Sequence, residues 1–267
     1  MIKIEDKVIW ITGASSGIGE EMAYQLAKKG AKLILSSRRM EELNRVKDNC
    51  EGKHANTIKI IPLDLSDAVS LPQKAKEASA SFGRIDILIN NGGISHRATV
   101  LESNMEVYRR IMEVDYFAPI QLSKLVLPGM LEQKFGQHVV LTSATGIIST
   151  PMRSAYAAAK HALHGFYDAL HAEEYDNNVR VTLVCPGYIQ TKISYNALKG
   201  DGKAQKKHEN DISKGFTPEQ AVKKIVKAIE QRKEELYFGG FKEMLAIRLK
   251  RFLPGVFAKI VRNQAPS

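Results

Sequence analysis

The stretch Lys7-Val8-Ile9-Trp10-Ile11-Thr12-Gly13-Ala14-Ser15-Ser16-Gly17-Ile18-Gly19 decides the fold. Its first half is an apolar run of the kind a strand buried on both faces needs. Three glycines follow at G-x-x-x-G-x-G spacing, and a helical pattern runs from Glu20 to Lys29. Strand, glycine-rich turn and helix in that order are the setting in which a glycine motif can be trusted. The glycines permit a tight turn and let a pyrophosphate approach the backbone, while the helix N-terminus offers N–H groups to an anion. The spacing departs from the G-x-G-x-x-G fingerprint, so a plain flexible turn is the competing reading.

The same alternation repeats outward. Ala31–Ser36 reads as a second strand ending at Ser37-Arg38-Arg39, with a helix over 39–50. At this strand end a dinucleotide fold carries an acid for the ribose hydroxyls or an arginine for a 2′-phosphate. No acid is present here and two guanidiniums follow, with donor forks suited to phosphate. Ser37, Arg38 and Arg39 therefore point to NADP(H) rather than NAD(H). Thr57–Leu63 reads as a third strand ending at Asp64-Leu65, where a carboxylate can meet an adenine amine. Residues 67–82 read as a helix starting near Pro72, and Asp86–Asn90 as a fourth strand ending at Asn91-Gly92-Gly93. A long helical pattern covers 104–134, with Pro119 and Pro128 as kink points. Val139–Ser143 reads as a fifth strand, 154–176 as a helix, and Val179–Cys185 as a sixth strand leading into Pro186-Gly187-Tyr188-Ile189-Gln190-Thr191. The polar stretch 194–216 has no period and predicts a mobile lid over a substrate. Thr217-Pro218 marks a helix start running to about Arg232, and Glu235–Phe238 a short seventh strand.

This order predicts an α/β fold: one Rossmann-like, doubly wound parallel sheet of about seven strands with helices on both faces, a single domain over residues 1–267. Ligands then bind at the carboxyl ends of the strands. Gly13, Arg38, Asp64, Asn90, Ser143 and Pro186 all fall there.

A second constellation carries chemistry. Tyr156 and Lys160 are four apart, so on a helix they share one face. A phenol titrates near pH 10 and needs a fixed cation beside it to exchange protons near neutrality. Ser143, at a strand end, can hydrogen-bond a substrate oxygen. Alone, a Tyr–Lys pair at this spacing is more often a solvated helix face.

Bulk properties narrow the class. The net charge of +10 is spread along the chain with acids interleaved, which favours phosphate-bearing ligands over a dedicated nucleic-acid surface. No window of eighteen apolar residues suggests a membrane span. The N-terminus lacks the layout of a secretory signal, so the expected location is cytoplasmic. Cys50 and Cys185 suggest neither a disulfide framework nor a metal site. The segment 241–262 interleaves apolar residues with Arg248, Lys250, Arg251, Lys259 and Arg262. It can cover an apolar pocket, pack on a partner subunit, or make peripheral contact with a membrane.

These residues together resemble the short-chain dehydrogenase/reductase family over nearly the whole chain. The matching motifs are Thr12 to Gly19, Asp64-Leu65, Asn90 to Gly93 with Gly92 for the usual Ala, Ser143 with Tyr156-x-x-x-Lys160, and Pro186-Gly187 with Thr191. Arg153 to Tyr156, Lys160-His161-Ala162 and Pro186 to Ile189 are most similar to the dehydrogenase/reductase member 7B branch, near the 11β-hydroxysteroid dehydrogenases. The resemblance implies catalytic Ser143, Tyr156 and Lys160. It implies cofactor contacts from Gly13, Ser15, Ser16, Gly17, Ile18, Gly19, Ser37, Arg38, Arg39, Asp64, Leu65, Asn91, Gly92, Gly93, Tyr156, Lys160, Pro186, Gly187, Ile189 and Thr191. It further implies carbonyl–alcohol interconversion with NADP(H) on a lipophilic or small carbonyl substrate, in a homodimer or homotetramer. The family's fourth catalytic position is usually asparagine, and here Asp115 occupies it. A carboxylate near Lys160 would favour its ammonium form and oppose its field at Tyr156. The rival readings are a non-enzymatic NADPH-binding sensor and a peripheral membrane protein.

Overall fold

The computed structural model describes residues 1–51, 57–207, 213 and 215–263. Seven strands form one parallel sheet in the order β3-β2-β1-β4-β5-β6-β7. They are β1 (Val8–Thr12), β2 (Lys32–Ser36), β3 (Lys59–Ile60), β4 (Ile87–Asn90), β5 (Gly136–Leu141), β6 (Val179–Pro186) and β7 (Glu235–Phe238). The helices are α1 (Gly17–Lys28), α2 (Met40–Asp48), α3 (Leu71–Phe82), α4 (Met105–Met112), α5 (Ala118–Glu132), α6 (Ser154–Glu174), α7 (Pro218–Gln231), α8 (Phe241–Phe252) and α9 (Pro254–Arg262).

Side chains alternate across a strand, and β1 feeds two cores in this way. Ile9 and Ile11 pack on the face covered by α1, α2 and α7, with Met22, Leu26, Leu43, Val222 and Ile225. Val8 and Trp10 pack on the other face with Leu71 of α3 and Leu122 and Val126 of α5. Over β5 and β6 that second face is completed by Leu163, Tyr167 and Leu170 of α6. A strand buried on both sides cannot alternate polar with apolar, hence the unbroken run in the sequence. Trp10 satisfies its one polar atom by donating Nε1–H to Ser36 Oγ at 2.9 Å.

The strand order reverses between β1 and β4, each paired with the other but leading to opposite halves of the sheet. A crevice opens at such a switch point, outside the carboxyl ends of the strands.

Four sequence expectations are corrected. The third strand shrinks to Lys59–Ile60, an edge strand beyond β2, although Leu63 N–H still reaches Ser37 O at 3.0 Å. The fifth strand starts at Gly136 and ends at Leu141, so Ser143 lies past its end. The buried polar residues Gln137 and His138 disguised its beginning. The helix read over 104–134 is divided by a π-helical turn, Glu113–Phe117, just ahead of Pro119, while Pro128 lies inside α5. The tail does not cover the cleft described below: α8 buries no residue and α9 only Phe257. Among the described residues no helix is long and apolar enough to cross a membrane. Of the expected lid, 208–212 and 214 lie outside the described residues.

Candidate active site

A cleft of about 1020 Å³ runs along the carboxyl ends of the strands, at the upper end of the range for small-molecule and cofactor sites. Its floor at the switch point is made by two turns locked together through Thr12. The Thr12 hydroxyl accepts N–H from Asn91 at 3.1 Å and from Gly92 at 3.0 Å, while Asn91 Nδ2 donates to Thr12 O at 3.0 Å. The turns touch so closely that a Cβ on Gly13, which sits at φ +65°, would lie 2.7 Å from Gly92 Cα. Only glycine satisfies both the left-handed backbone and that approach.

One wall carries the glycine turn. Gly13, Ser15 and Ser16 line the cleft ahead of α1, and Gly17 and Ile18 line it from the first turn of that helix, where backbone N–H groups have no intrahelical partner. Gly19 is not among the residues lining the cleft. A Cβ there would lie 2.3 Å from Gly13 O and 2.6 Å from Asn91 Nδ2, so Gly19 serves the packing of helix against strand end.

Beside this turn, Ser37, Arg38 and Arg39 line the cleft at the end of β2. Arg39 Nη2 donates to Ser15 Oγ at 3.2 Å, tying the arginine pair to the glycine turn. Asp64 and Leu65 line the next strand end. Burial pushes the Asp64 carboxyl up, but the Ser66 backbone and side-chain hydrogen bonds, with Arg38 and Arg110 nearby, outweigh it and hold it below its usual range. Asn91, Gly92 and Gly93 follow from β4; Pro186, Gly187, Ile189 and Thr191 close the cleft from β6.

Ser143, Tyr156 and Lys160 line the same cleft. Ser143 is the N-cap of the short turn 144–146, where its Oγ accepts N–H from Thr145 at 3.2 Å. Tyr156 and Lys160, one turn apart on α6, are both buried. Lys160 Nζ donates to Leu141 O at 3.0 Å and lies 5.6 Å from the Tyr156 ring centroid. Behind it stands Asp115, with Oδ2 at 3.4 Å from Nζ, an ion contact whose alignment falls short of a hydrogen bond. Asp115 Oδ1 accepts N–H from Ile94 at 2.8 Å. Gly93 leaves the room: a Cβ there would lie 3.2 Å from Asp115 Oδ2. Burial pushes the Asp115 carboxyl up, opposed by Lys160 and the Ile94 N–H. Asp115 does not itself line the cleft; its carboxylate stands behind Lys160, which does.

The residues fit a bound dinucleotide. Gly13 and Gly19 stand where a Cβ would clash, the first residues of α1 line the cleft, and two arginines stand at the end of β2. The sequence reading did not assign Arg97, Arg153 or Tyr188, which also line the cleft. No spacing rule brings loop residues together; only Arg153, three positions before Tyr156, could have been found from the sequence.

Comparison with known proteins agrees with this architecture. The sequence model of the short chain dehydrogenase family matches residues 7–201. Dehydrogenase/reductase SDR family member 7B of Xenopus tropicalis is 37% identical over 267 residues, covering 98% of this chain and 86% of its own. A short-chain dehydrogenase of Streptomyces avermitilis superposes with a TM-score of 0.80 at 26% identity, over 97% of this chain and 96% of its own. An alcohol dehydrogenase of Thermococcus sibiricus, solved with 5-hydroxy-NADP, superposes with a TM-score of 0.75 at 25% identity, over 89% of this chain and 97% of its own. With a matched family pattern spanning most of the sheet and a curated relative aligned over nearly its full length, the chain belongs to the short-chain dehydrogenase family.

Proposed function

We propose that the protein interconverts a lipophilic or small carbonyl compound and the corresponding alcohol, with NADP(H) as the redox partner and Tyr156 as the proton donor and acceptor. The observation that carries this reading is the shared cleft of Ser143, Tyr156 and Lys160 with the glycine turn. In reduction, NADPH held by the glycine turn, Arg38 and Arg39 would supply the hydride to the carbonyl carbon. The phenol of Tyr156 gives its proton to the oxygen as it gains negative charge, and solvent later restores that proton. Ser143 holds the same oxygen by hydrogen bonding. Lys160, anchored by Leu141 O and backed by Asp115, fixes a positive charge beside the phenol. General acid–base assistance of this kind is worth roughly 10²–10⁴-fold in rate.

Arg38 and Arg39 favour the 2′-phosphate of NADP(H), since a guanidinium fork matches phosphate oxygens. The complex of the Thermococcus sibiricus relative with an NADP derivative supports the same choice. Ser194, Asn196 and Leu198 line the cleft from the expected lid, which we read as its cover.

The test is a screen of ketones and aldehydes with NADPH and with NADH, followed by nicotinamide absorbance. Turnover with NADPH, lost in Tyr156→Phe while NADPH binding persists, is the expected result. Turnover retained in that variant overturns the assignment.

A further inference from the structure

We propose that Thr145 positions Ser143 for the reaction, occupying both acceptor sites of its hydroxyl so that the one proton it carries is left for the reacting oxygen. The inference rests on the carbonyl–alcohol reading and adds to it a residue outside the cleft.

Two hydrogen bonds from one residue carry it. The Thr145 backbone N–H donates to Ser143 Oγ at 3.2 Å, and the Thr145 hydroxyl donates to the same oxygen at 2.9 Å. A serine hydroxyl has two lone pairs and a single proton. Thr145 fills both lone pairs, and no hydrogen bond among the described residues takes the proton. Ser143 lines the cleft, whereas Thr145 is 6% exposed and does not. Thr145 therefore reaches the chemistry only through Ser143.

The turn that holds the pair is fixed on several sides. Ser143 O accepts N–H from Gly146 at 2.8 Å, and Ala144 O accepts from Ile147 at 3.1 Å and from Ile148 at 3.0 Å. Gly146 lies against α6: a Cβ there would be 3.1 Å from Lys160 O and 3.2 Å from His164 Nε2. The turn is thus seated on the stretch of helix that carries Lys160, one turn beyond Tyr156. A hydroxyl that rotates freely has to be turned toward its target in each cycle. A donor already aimed where negative charge develops needs no such reorganisation. A hydroxyl that accepts a hydrogen bond is also polarised into a better donor. With its lone pairs filled, Ser143 cannot accept from the Tyr156 phenol, whose proton stays available to the substrate.

Thr145→Val keeps the outline of the side chain and removes its hydroxyl. With NADPH and a carbonyl compound that the wild-type protein reduces, kcat should fall about tenfold, the scale of one hydrogen bond lost at the transition state. KM and the NADPH dissociation constant should stay within about twofold of wild type. Thr145→Ser, which restores the donor, should recover most of the loss. In a Ser143→Ala background, Thr145→Val should change the rate by less than about twofold, because its effect passes through the missing hydroxyl. An unchanged kcat, an equal fall in both backgrounds, or a loss of NADPH affinity overturns the proposal. Neutron diffraction from crystals of the NADP⁺-loaded wild-type protein exchanged into D2O reads the arrangement without turnover, and decides if a variant does not fold or Ser143→Ala leaves no measurable rate. The Thr145 deuteron should lie toward Ser143 Oγ and the Ser143 deuteron toward the cleft. Those positions in a protein that reduces no carbonyl compound would sustain the hydroxyl arrangement while the reductase reading falls. A Ser143 deuteron directed at Thr145 Oγ1 overturns the proposal.

Discussion

Lys160 Nζ stands 3.4 Å from Asp115 Oδ2, with both side chains almost wholly closed to solvent, and the same ammonium donates to Leu141 O at 3.0 Å. The cation beside Tyr156 is therefore fixed from behind by a carboxylate and from the side by a strand end. Asp115 also opposes the field that Lys160 presents to the phenol, because opposite charges at this separation interact strongly away from water.

Asp115→Asn keeps an acceptor for the Ile94 N–H but removes that opposing charge. Turnover should survive. The limb of the pH–rate profile for alcohol oxidation should move to lower pH, since an unopposed lysine favours the phenolate. An unmoved profile and rate would refute the coupling. Asp115→Ala, which strands a buried ammonium, should instead cost about 3 kcal/mol of stability by denaturant titration.

Arg38→Gln combined with Arg39→Gln should narrow the preference for NADP(H). Loss of charge-assisted contacts to a phosphate weakens binding by roughly tenfold or more. The check is the ratio of NADPH to NADH dissociation constants, which should shift toward NADH by that factor. A constant ratio would remove these arginines from cofactor selection.

Gly19→Ala places a methyl group 2.3 Å from Gly13 O and 2.6 Å from Asn91 Nδ2. The helix must shift away from the strand end, at a cost of roughly 1–3 kcal/mol by analogy with overpacked cores. Thermal unfolding should show the loss, and NADPH affinity should fall with it because the glycine turn is displaced. Wild-type values for both would show that the contact relaxes freely.

His138, fully buried in β5, has both ring nitrogens without hydrogen bonds among the described residues. Burial pushes its pKa down from 6.5 to about 4. The unfolded chain therefore takes up this proton first as pH falls. Its contribution is present above pH 6.5 and is lost between 6.5 and about 4. The loss amounts to about 3 kcal/mol. His138→Leu should remove that part of the acid sensitivity in unfolding measured across this range. An identical acid dependence in the variant would rule His138 out as its source.

Much of this molecule was legible in the chain itself. Continuous apolar runs marked β1, β2, β4 and β6, and Thr217 followed by Pro218 marked the start of α7. The glycine turn, Arg38, Arg39, Asp64, Ser143, Tyr156 and Lys160 all came to one cleft because strand ends gather in a parallel sheet. What stayed hidden depends on tertiary placement. Gln137 and His138 are polar residues in a buried strand, so periodicity started β5 too late. Thr12 reads as one more strand residue, and its bridging of two turns is visible only once β4 lies beside β1. Arg97 and Arg153 come from separate loops with no pattern linking them. Asp115 stood out as an exception to a motif, yet its distance from Lys160 could not be read from spacing.

The π-helical turn at 113–117 has a consequence for the whole helical layer. A π turn holds one residue more than an α turn, and each residue of a helix rotates the chain by roughly 100°. Deleting any one residue between Met112 and Ala118 would restore an uninterrupted helix but swing everything on one side of it by about that angle. Either Leu122 and Val126 would leave their core, or the carboxylate of Asp115 would swing out from behind Lys160. The extra residue is a phase adjuster, letting one length of helix serve the hydrophobic interior and the reaction centre at once.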